Sequence, residues 1–397
     1  MLETRIAKEL AYISQAGLAR RITELYFVNP AQAQDRTGKT YLVLASNNYL
    51  GFTHAPEVIE AASRAALKFG TGSSGSRLTT GGTFIASELE KRLADFKHSE
   101  SALVFNTGYM TNLGVLYGLM QTGDVVFSDE LNHASIIDGC RISRCKVVVY
   151  KHNDMADLQR LLETEIVTGQ RFIVTDGVFS MDGDIADLPS LAVLKKQFNA
   201  CLIVDDAHGV GVIGNDGSGT ASHYGLTDVI DLQVGTLSKA LAAEGGYVAG
   251  KKILIDYLIT RSRPFIFSTA LAPATLAAAN AALLLLQTQA SKYLDSLRAN
   301  SRLMRRLLLE GGLNVVEGIT PIIPVVIGEA GLTMQFADRL KSKGILVSGI
   351  RPPTVPRGES RLRITVTAAH CEEQLRQAAQ IITALWQELK HGEKKEG

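Results

Sequence analysis

Apolar residues in the first two-thirds of the chain fall in short unbroken runs. Tyr41 to Ala45, Ala102 to Phe105, Val125 to Phe127, Lys146 to Tyr150, Phe172 to Thr175, Cys201 to Val204 and Leu232 to Val234 read as strands. Most are separated by helix-length segments, among them Pro56 to Phe69 and Met110 to Met120. Strands apolar at consecutive positions are buried on both faces, so the pattern predicts an α/β fold with a mostly parallel sheet covered by helices. Ligands of such a sheet gather beyond the carboxyl ends of its strands.

The two ends of the chain differ from this middle. Leu2, Ile6, Leu10 and Ile13 recur at helical spacing, predicting an amphipathic helix that ends around Gly17 and whose apolar face needs a partner. Beyond an apolar stretch from Leu271 to Leu286, strand-like Ile322 to Ile327, a helix near Met334 to Lys343, Ile345 to Val347, Arg361 to Thr367 and a last helix from about Glu372 read as a smaller α+β unit. The organisation expected is an N-terminal helix and connection (1–45), a large α/β domain (46–285), a small α+β domain (286–390) and a charged, disordered tail (391–397). No internal repeat is visible.

Composition narrows the function classes. A chain of 397 residues that is 46% hydrophobic can bury a large core. Its 41 basic and 40 acidic side chains nearly cancel, so no global field recruits nucleic acid or a membrane surface. The Leu271 to Leu286 stretch is interrupted by Pro273, Thr275 and Asn280 and is shorter than the ~20 residues a membrane span needs, so a buried helix is expected. Cys140, Cys145, Cys201 and Cys371 have neither CxxC spacing nor the density of a disulfide scaffold, which fits a reducing cytoplasm and no structural zinc. The opening MLETRIAKELAYI lacks the basic-then-apolar order of an export signal.

Four segments carry candidate chemistry. Gly70-x-Gly72-x-x-Gly75 spells a dinucleotide fingerprint, but it follows a helical stretch where a pyrophosphate loop follows a strand, so a glycine-rich turn is expected. Asn106-Thr107-Gly108-Tyr109 sits between a strand and a helix, where free N–H groups and the helix dipole suit a phosphate; a purely structural turn explains the same glycine. In Cys201-Leu-Ile-Val-Asp205-Asp206-Ala-His208-Gly209 an apolar strand runs into two carboxylates that require a positive partner. A cofactor's protonated ring nitrogen and a metal ion both answer that need. In Gly235-Thr236-Leu237-Ser238-Lys239-Ala240, small neighbours after a buried strand turn Lys239 inward, where desolvation frees its amine for imine chemistry.

Taken together, Thr236-Leu-Ser-Lys239, the Val204 to Gly211 segment, Asp176-Gly-Val-Phe-Ser180-Met-Asp-Gly183, Asn132-His133-Ala-Ser135, Asn47-Asn-Tyr-Leu-Gly51 and Thr367-Ala-Ala-His370 resemble the α-oxoamine synthases over nearly the whole chain. These are fold-type I enzymes dependent on pyridoxal 5'-phosphate (PLP), with a mostly parallel seven-stranded sheet and a smaller α+β C-terminal domain. The resemblance implies that Lys239 carries the cofactor as a Schiff base and later acts as base, and that His133 stacks on the cofactor ring. It further implies that Asp205 binds the ring nitrogen and His208 the phenolic oxygen, with Gly108, Tyr109 and Thr236 at the phosphate or ring and Ser180 beside the cofactor. Family members are homodimers with shared active sites, so Thr269 is expected at the partner's phosphate.

For substrates, Arg363 matches the arginine that takes the amino acid carboxylate, with Arg361 its structural neighbour; Asn47, Thr354 and Arg21 are the other expected contacts. The segments Arg351 to Pro356 and Gly72 to Leu78 point to a member that joins L-alanine to a pimeloyl thioester, carried on CoA or on a carrier protein. The alternative is the member that joins glycine to acetyl-CoA. An NAD-dependent dehydrogenase rests on the Gly70 to Gly75 spelling alone. A non-catalytic relative is expected to lack the lysine.

Overall fold

The computed structural model describes every residue except Ala16, Gly17, Arg21 and Gly397, and the side chains as far as Lys390. Gly17, the expected end of the first helix, and Arg21, an expected substrate contact, lie outside the described residues. The first helix spans Leu2–Gln15 and buries none of its residues, leaving Leu2, Ile6 and Leu10 uncovered.

The central sheet has seven strands in the spatial order Ser101–Phe105, Gly246–Gly250, Leu232–Thr236, Ala200–Asp205, Arg171–Asp176, Val125–Asp129 and Lys146–Tyr150. Six run the same way; Gly246–Gly250 opposes both its neighbours. This strand is not among the runs read from the sequence. Thr40–Val43, which is among them, belongs to a different sheet, antiparallel to Gln32–Gln34 and parallel to Ile345–Leu346. The glycine-flanked Gly-Tyr-Val-Ala-Gly segment hides its character because glycine weakens strands unless a backbone must pass closely. Here one does: a Cβ on Gly246 would lie 2.6 Å from the Cα of Gly108, at the start of the helix Gly108–Leu119.

The apolar stretch after Leu271 begins a helix that continues far beyond it, from Pro273 to Glu310, with a break in its dihedrals at Gln289. Before the break it buries Leu276, Leu283 and Leu286 against the large sheet's helices; after it, Met304 and Leu308 enter a second core with Phe336, Leu362, Ile364 and Trp386. That second core fills the space beside a three-stranded antiparallel sheet of Ile322–Gly328, Ser360–Thr365 and Ser348–Ile350. The last helix runs Glu372–Glu396, so the tail expected to be disordered from 391 is helical up to its penultimate residue. Its Glu and Lys residues are good helix formers, and the one Gly in the run costs only about 1 kcal/mol.

The turn after the Ala200–Asp205 strand is anchored by a buried ion pair. Lys97 Nζ lies 2.9 Å from Asp206 Oδ2 and also donates to the Ser218 carbonyl, and Asp206 accepts from the N–H and the hydroxyl of Thr220. Burial pushes the Asp206 carboxyl upward, and the lysine opposes it. Gly219, at φ 110°, is required here because any Cβ would collide with Asp206 Oδ2. Replacing Lys97 by Met removes the cation and leaves the carboxylate buried. The unfolding free energy, from urea titration, is expected to fall by roughly 3–5 kcal/mol, and adding Asp206→Asn to recover part of it.

Candidate active site

At the carboxyl ends of the parallel strands lies a cavity of about 190 Å³. Thr107, Gly108, Tyr109, His133, Ser180, Asp205, His208, Thr236 and Lys239 all line it, along with Ser135 and Asp176. The sequence thus delivers Lys239, His133, Asp205, His208, Ser180, Gly108, Tyr109 and Thr236 to one place.

Two carboxylates set its electrostatics. Asp176 and Asp205 are register partners at the ends of adjacent parallel strands, and both are buried. Burial raises the Asp176 carboxyl well above its ordinary value, the Asp205 charge adds to this, and the N–H of His133, 2.7 Å from Oδ2, works against it. Asp205 is held by Asn112 Nδ2 at 2.6 Å and by the Ala207 N–H at 3.0 Å. Asn112 also donates to the Ser135 hydroxyl, which bonds His133 Nδ1 at 2.7 Å. His133 caps the helix Ala134–Ile142 by accepting the Ser135 N–H. It is therefore both a cap and a cavity wall.

Lys239 faces this pair. Desolvation lowers its amine below the ordinary lysine value, Asp205 and Asp176 pull the other way, and Arg363 adds to the lowering. His208 is buried and kept neutral, first by burial and then by the charges of Lys239 and Arg363. The hydroxyl of Tyr49, fully buried, sits 2.6 Å from His208 Nδ1 and only 3.4 Å from Asn47 Oδ1. Burial keeps Tyr49 protonated, and its hydroxyl shares the shorter hydrogen bond with His208 Nδ1.

One end of the cavity is a helix start. Thr107 caps Gly108–Leu119 by accepting the Met110 N–H, and the helix offers no acceptor for the N–H groups of Gly108 and Tyr109. A Cβ on Gly108 would lie 3.3 Å from that of Thr236, so the cradle closes there. Thr236 bonds the Ser238 hydroxyl and the Gly245 carbonyl. These groups, with the buried carboxylate Asp205 and the inward amine of Lys239, fit a phosphorylated aldehyde carrying a protonated ring nitrogen. As for a metal ion at Asp205, Asp206 turns away to Lys97, and among the described residues no group of three His, Cys, Asp or Glu side chains is placed to hold one.

Arg363 is buried behind the cavity. Its Nε donates to the Ser180 carbonyl at 2.5 Å, Nη1 to the Thr365 hydroxyl at 2.9 Å and Nη2 to Asn47 Oδ1 at 3.2 Å. A guanidinium has five N–H donors, so one on each terminal nitrogen remains for a carboxylate. Arg361 is paired with Asp182 and Glu359.

Two expected residues stand apart. Thr269 is exposed and does not line the cavity; its carbonyl accepts from Asn106 Nδ2 at 2.8 Å and its backbone pairs with Ser76. The Gly70 to Gly75 loop thus packs on the 268–270 segment, through Gly75 O to the Ala270 N–H as well, and forms no lining of the cavity. Thr354 is likewise exposed, in a loop where Arg351 reaches the carbonyl of Ala19. Asp176, Ser135 and Tyr49 stand within motifs read from the sequence but were given no role there, and Asn112 was not singled out. Asp176 had a signal, a carboxylate ending an apolar run, whereas mid-helix Asn112 had none.

The aminotransferase class I and II family matches residues 39–382. The chain belongs to it. Among curated proteins of this family, the 8-amino-7-oxononanoate synthase of Lysinibacillus sphaericus is 47% identical over 374 residues, covering 94% of this chain and 96% of that protein. A serine palmitoyltransferase variant from S. paucimobilis with a bound PLP–myriocin aldimine superposes with a TM-score of 0.91 at 31% identity, over 97% of each chain. An 8-amino-7-oxononanoate synthase from Francisella tularensis gives 0.76 at 30% identity, over 89% of this chain and 98% of that one. The resemblance to the α-oxoamine synthases within the family holds along the whole fold.

Tyr49→Phe keeps the ring and deletes the hydroxyl that bonds His208 Nδ1, leaving that nitrogen buried without it. It is expected to cost about 1–3 kcal/mol of stability in urea unfolding, with the unfolding slope unchanged.

Proposed function

We propose that this chain is a PLP-dependent 8-amino-7-oxononanoate synthase of the biotin pathway, which joins L-alanine to a pimeloyl thioester and releases carbon dioxide and the free thiol. The observation that carries the reading is Lys239, a desolvated amine set against Asp205 in the cavity, in a chain 47% identical to a protein of that name. PLP would be held by Lys239 at its aldehyde, Asp205 at its ring nitrogen, His208 at its phenolic oxygen and the Gly108, Tyr109 and Thr236 groups at its phosphate, and it supplies the sink for electrons released at the substrate's α-carbon.

The chain's own groups do the rest. Arg363, with Asn47, holds the alanine carboxylate through its two remaining N–H donors. Lys239 Nζ, its amine lowered below the ordinary lysine value by desolvation, takes the α-proton and later returns one. His133 covers one face of the reacting system, and Ser180 borders the other end. Attack of the α-carbon on the thioester carbonyl expels the thiolate, and the amino acid carboxylate then leaves as carbon dioxide. Thr354 and Arg21 are assigned to the acyl substrate.

The enzyme is read as a homodimer with shared sites. Thr269 lies outside its own cavity and Leu2, Ile6, Leu10 and Phe267 lie uncovered, as residues that meet a second copy do. Residues 46–285 are assigned to the large unit, 286–390 to the small one, 1–45 to the N-terminal segment and 391–397 to the tail. Four free cysteines accord with a cytoplasmic location. No described helix is long and apolar enough to cross a membrane.

Purified protein is expected to be yellow and to release thiol from pimeloyl-CoA or a pimeloyl carrier protein with alanine. Turnover confined to glycine and acetyl-CoA would instead assign the ketobutyrate-forming ligase activity. Lys239→Ala is expected to lose the lysine-linked visible band and at least about 10³-fold in turnover; an unchanged band would refute the attachment. Arg363→Lys should raise the KM for alanine roughly 10- to 100-fold, the worth of a lost charged hydrogen bond, with the thioester KM little altered.

A further inference from the structure

Behind the hairpin that carries Ser180, one histidine is gripped by two carboxylates. His152 Nδ1 lies 3.0 Å from Asp129 Oδ1 and its Nε2 lies 2.9 Å from Asp184 Oδ2. An ionised carboxylate has no hydrogen to give, so a ring bonded to both carries a proton on each nitrogen. Burial pushes the ring's pKa down, but the hydrogen bonds and charges of Asp129 and Asp184 outweigh it and raise it to about 10. Glu130 Oε1 accepts the backbone N–H of His152 at 2.8 Å. The Phe179 ring packs against it in a T-shaped arrangement, with centroids 4.4 Å apart.

Both carboxylates are held in turn. Asp129 ends the Val125–Asp129 strand and accepts the N–H groups of Leu131 and Asn153. Asp184 accepts Asn153 Nδ2 at 3.0 Å and belongs to a tight hairpin: Phe179 N–H donates to the Asp184 carbonyl, Gly183 N–H to that of Phe179, and Val178 pairs with Ile185. The opposite side of this hairpin meets the small unit. Asp182 pairs with Arg361, Thr320 donates to the Gly183 carbonyl, and the Ser180 carbonyl takes Arg363 Nε. The hairpin is therefore a bridge with His152 at one abutment and the substrate arginine at the other.

We propose that His152 is a positioning residue for amino acid binding: by clamping Asp129 to Asp184 it fixes the hairpin, so that the Ser180 carbonyl holds the Arg363 guanidinium in the orientation that receives a carboxylate. This rests on the reading of Arg363 as the carboxylate site. A residue that merely stabilised the fold would lower all activities together through loss of folded protein. A positioning residue shifts the KM of one substrate.

The test uses the holoenzyme. In protein labelled with ¹⁵N-histidine, both ring nitrogens of His152 are expected to show protonated shifts up to pH 9; a neutral ring at pH 8 overturns the proposal. His152→Gln should raise the alanine KM roughly tenfold, with the acyl thioester KM and the PLP dissociation constant changed less than about twofold. An alanine KM that responds to Arg363→Lys and ignores His152→Gln overturns this proposal alone. One that ignores both sinks the carboxylate reading, and the proposal with it. Should His152→Gln fail to fold, Asp184→Asn, which weakens one grip, is expected to raise the alanine KM about threefold, and no change there overturns the proposal equally.

Discussion

Two carboxylates buried side by side are the constraint around which the site is built. Asp176 and Asp205 end neighbouring strands whose register fixes their approach, and both are buried. Charges so placed repel each other and lose their hydration, which raises the Asp176 carboxyl and calls for a cation beside the pair. Lys239 faces them, and the His133 N–H and Asn112 share the load. The same carboxylates favour the charged form of Lys239 while burial disfavours it, so its amine is poised between the two states.

A second layer of contacts keeps that balance rigid. Asn47 and Tyr49 come from near the N-terminal sheet, His208 from the turn after the central strand, and Arg363 from the small antiparallel sheet, yet they meet within a few ångströms. Lys97 performs the corresponding service for the turn itself, by neutralising the carboxylate that follows Asp205. Adjacent aspartates in the sequence therefore have opposite duties: one faces the cavity and the other secures the loop.

Legibility in the sequence followed burial. Strands covered on both faces announce themselves as unbroken apolar runs, and the residues at their ends, Asp205, Thr236 and Lys239, could be read as a site because a charge after such a run has nowhere bland to go. Gly246–Gly250 was missed because its value to the fold is the absence of side chains, which lets it pass the helix start at Gly108. Lys97 looked like any surface lysine, since nothing local marks a partner 109 residues away. Asn112 was hidden in a helix for the same reason. Thr269 and Thr354 rest on resemblance alone, and neither reaches the cavity of its own chain.

The pairing of Thr40–Val43 with Ile345–Leu346 sets an order of events during synthesis. The early strand can form its hairpin with Gln32–Gln34 as soon as it is made, but its other edge waits for a partner about 300 residues downstream. At typical elongation rates of about 5–20 residues per second, that edge stays open for roughly 15–60 seconds, during which nascent chains on one message could pair through it. The shortness of the strand, four residues, limits that hazard, because a brief edge is a poor template for a neighbour.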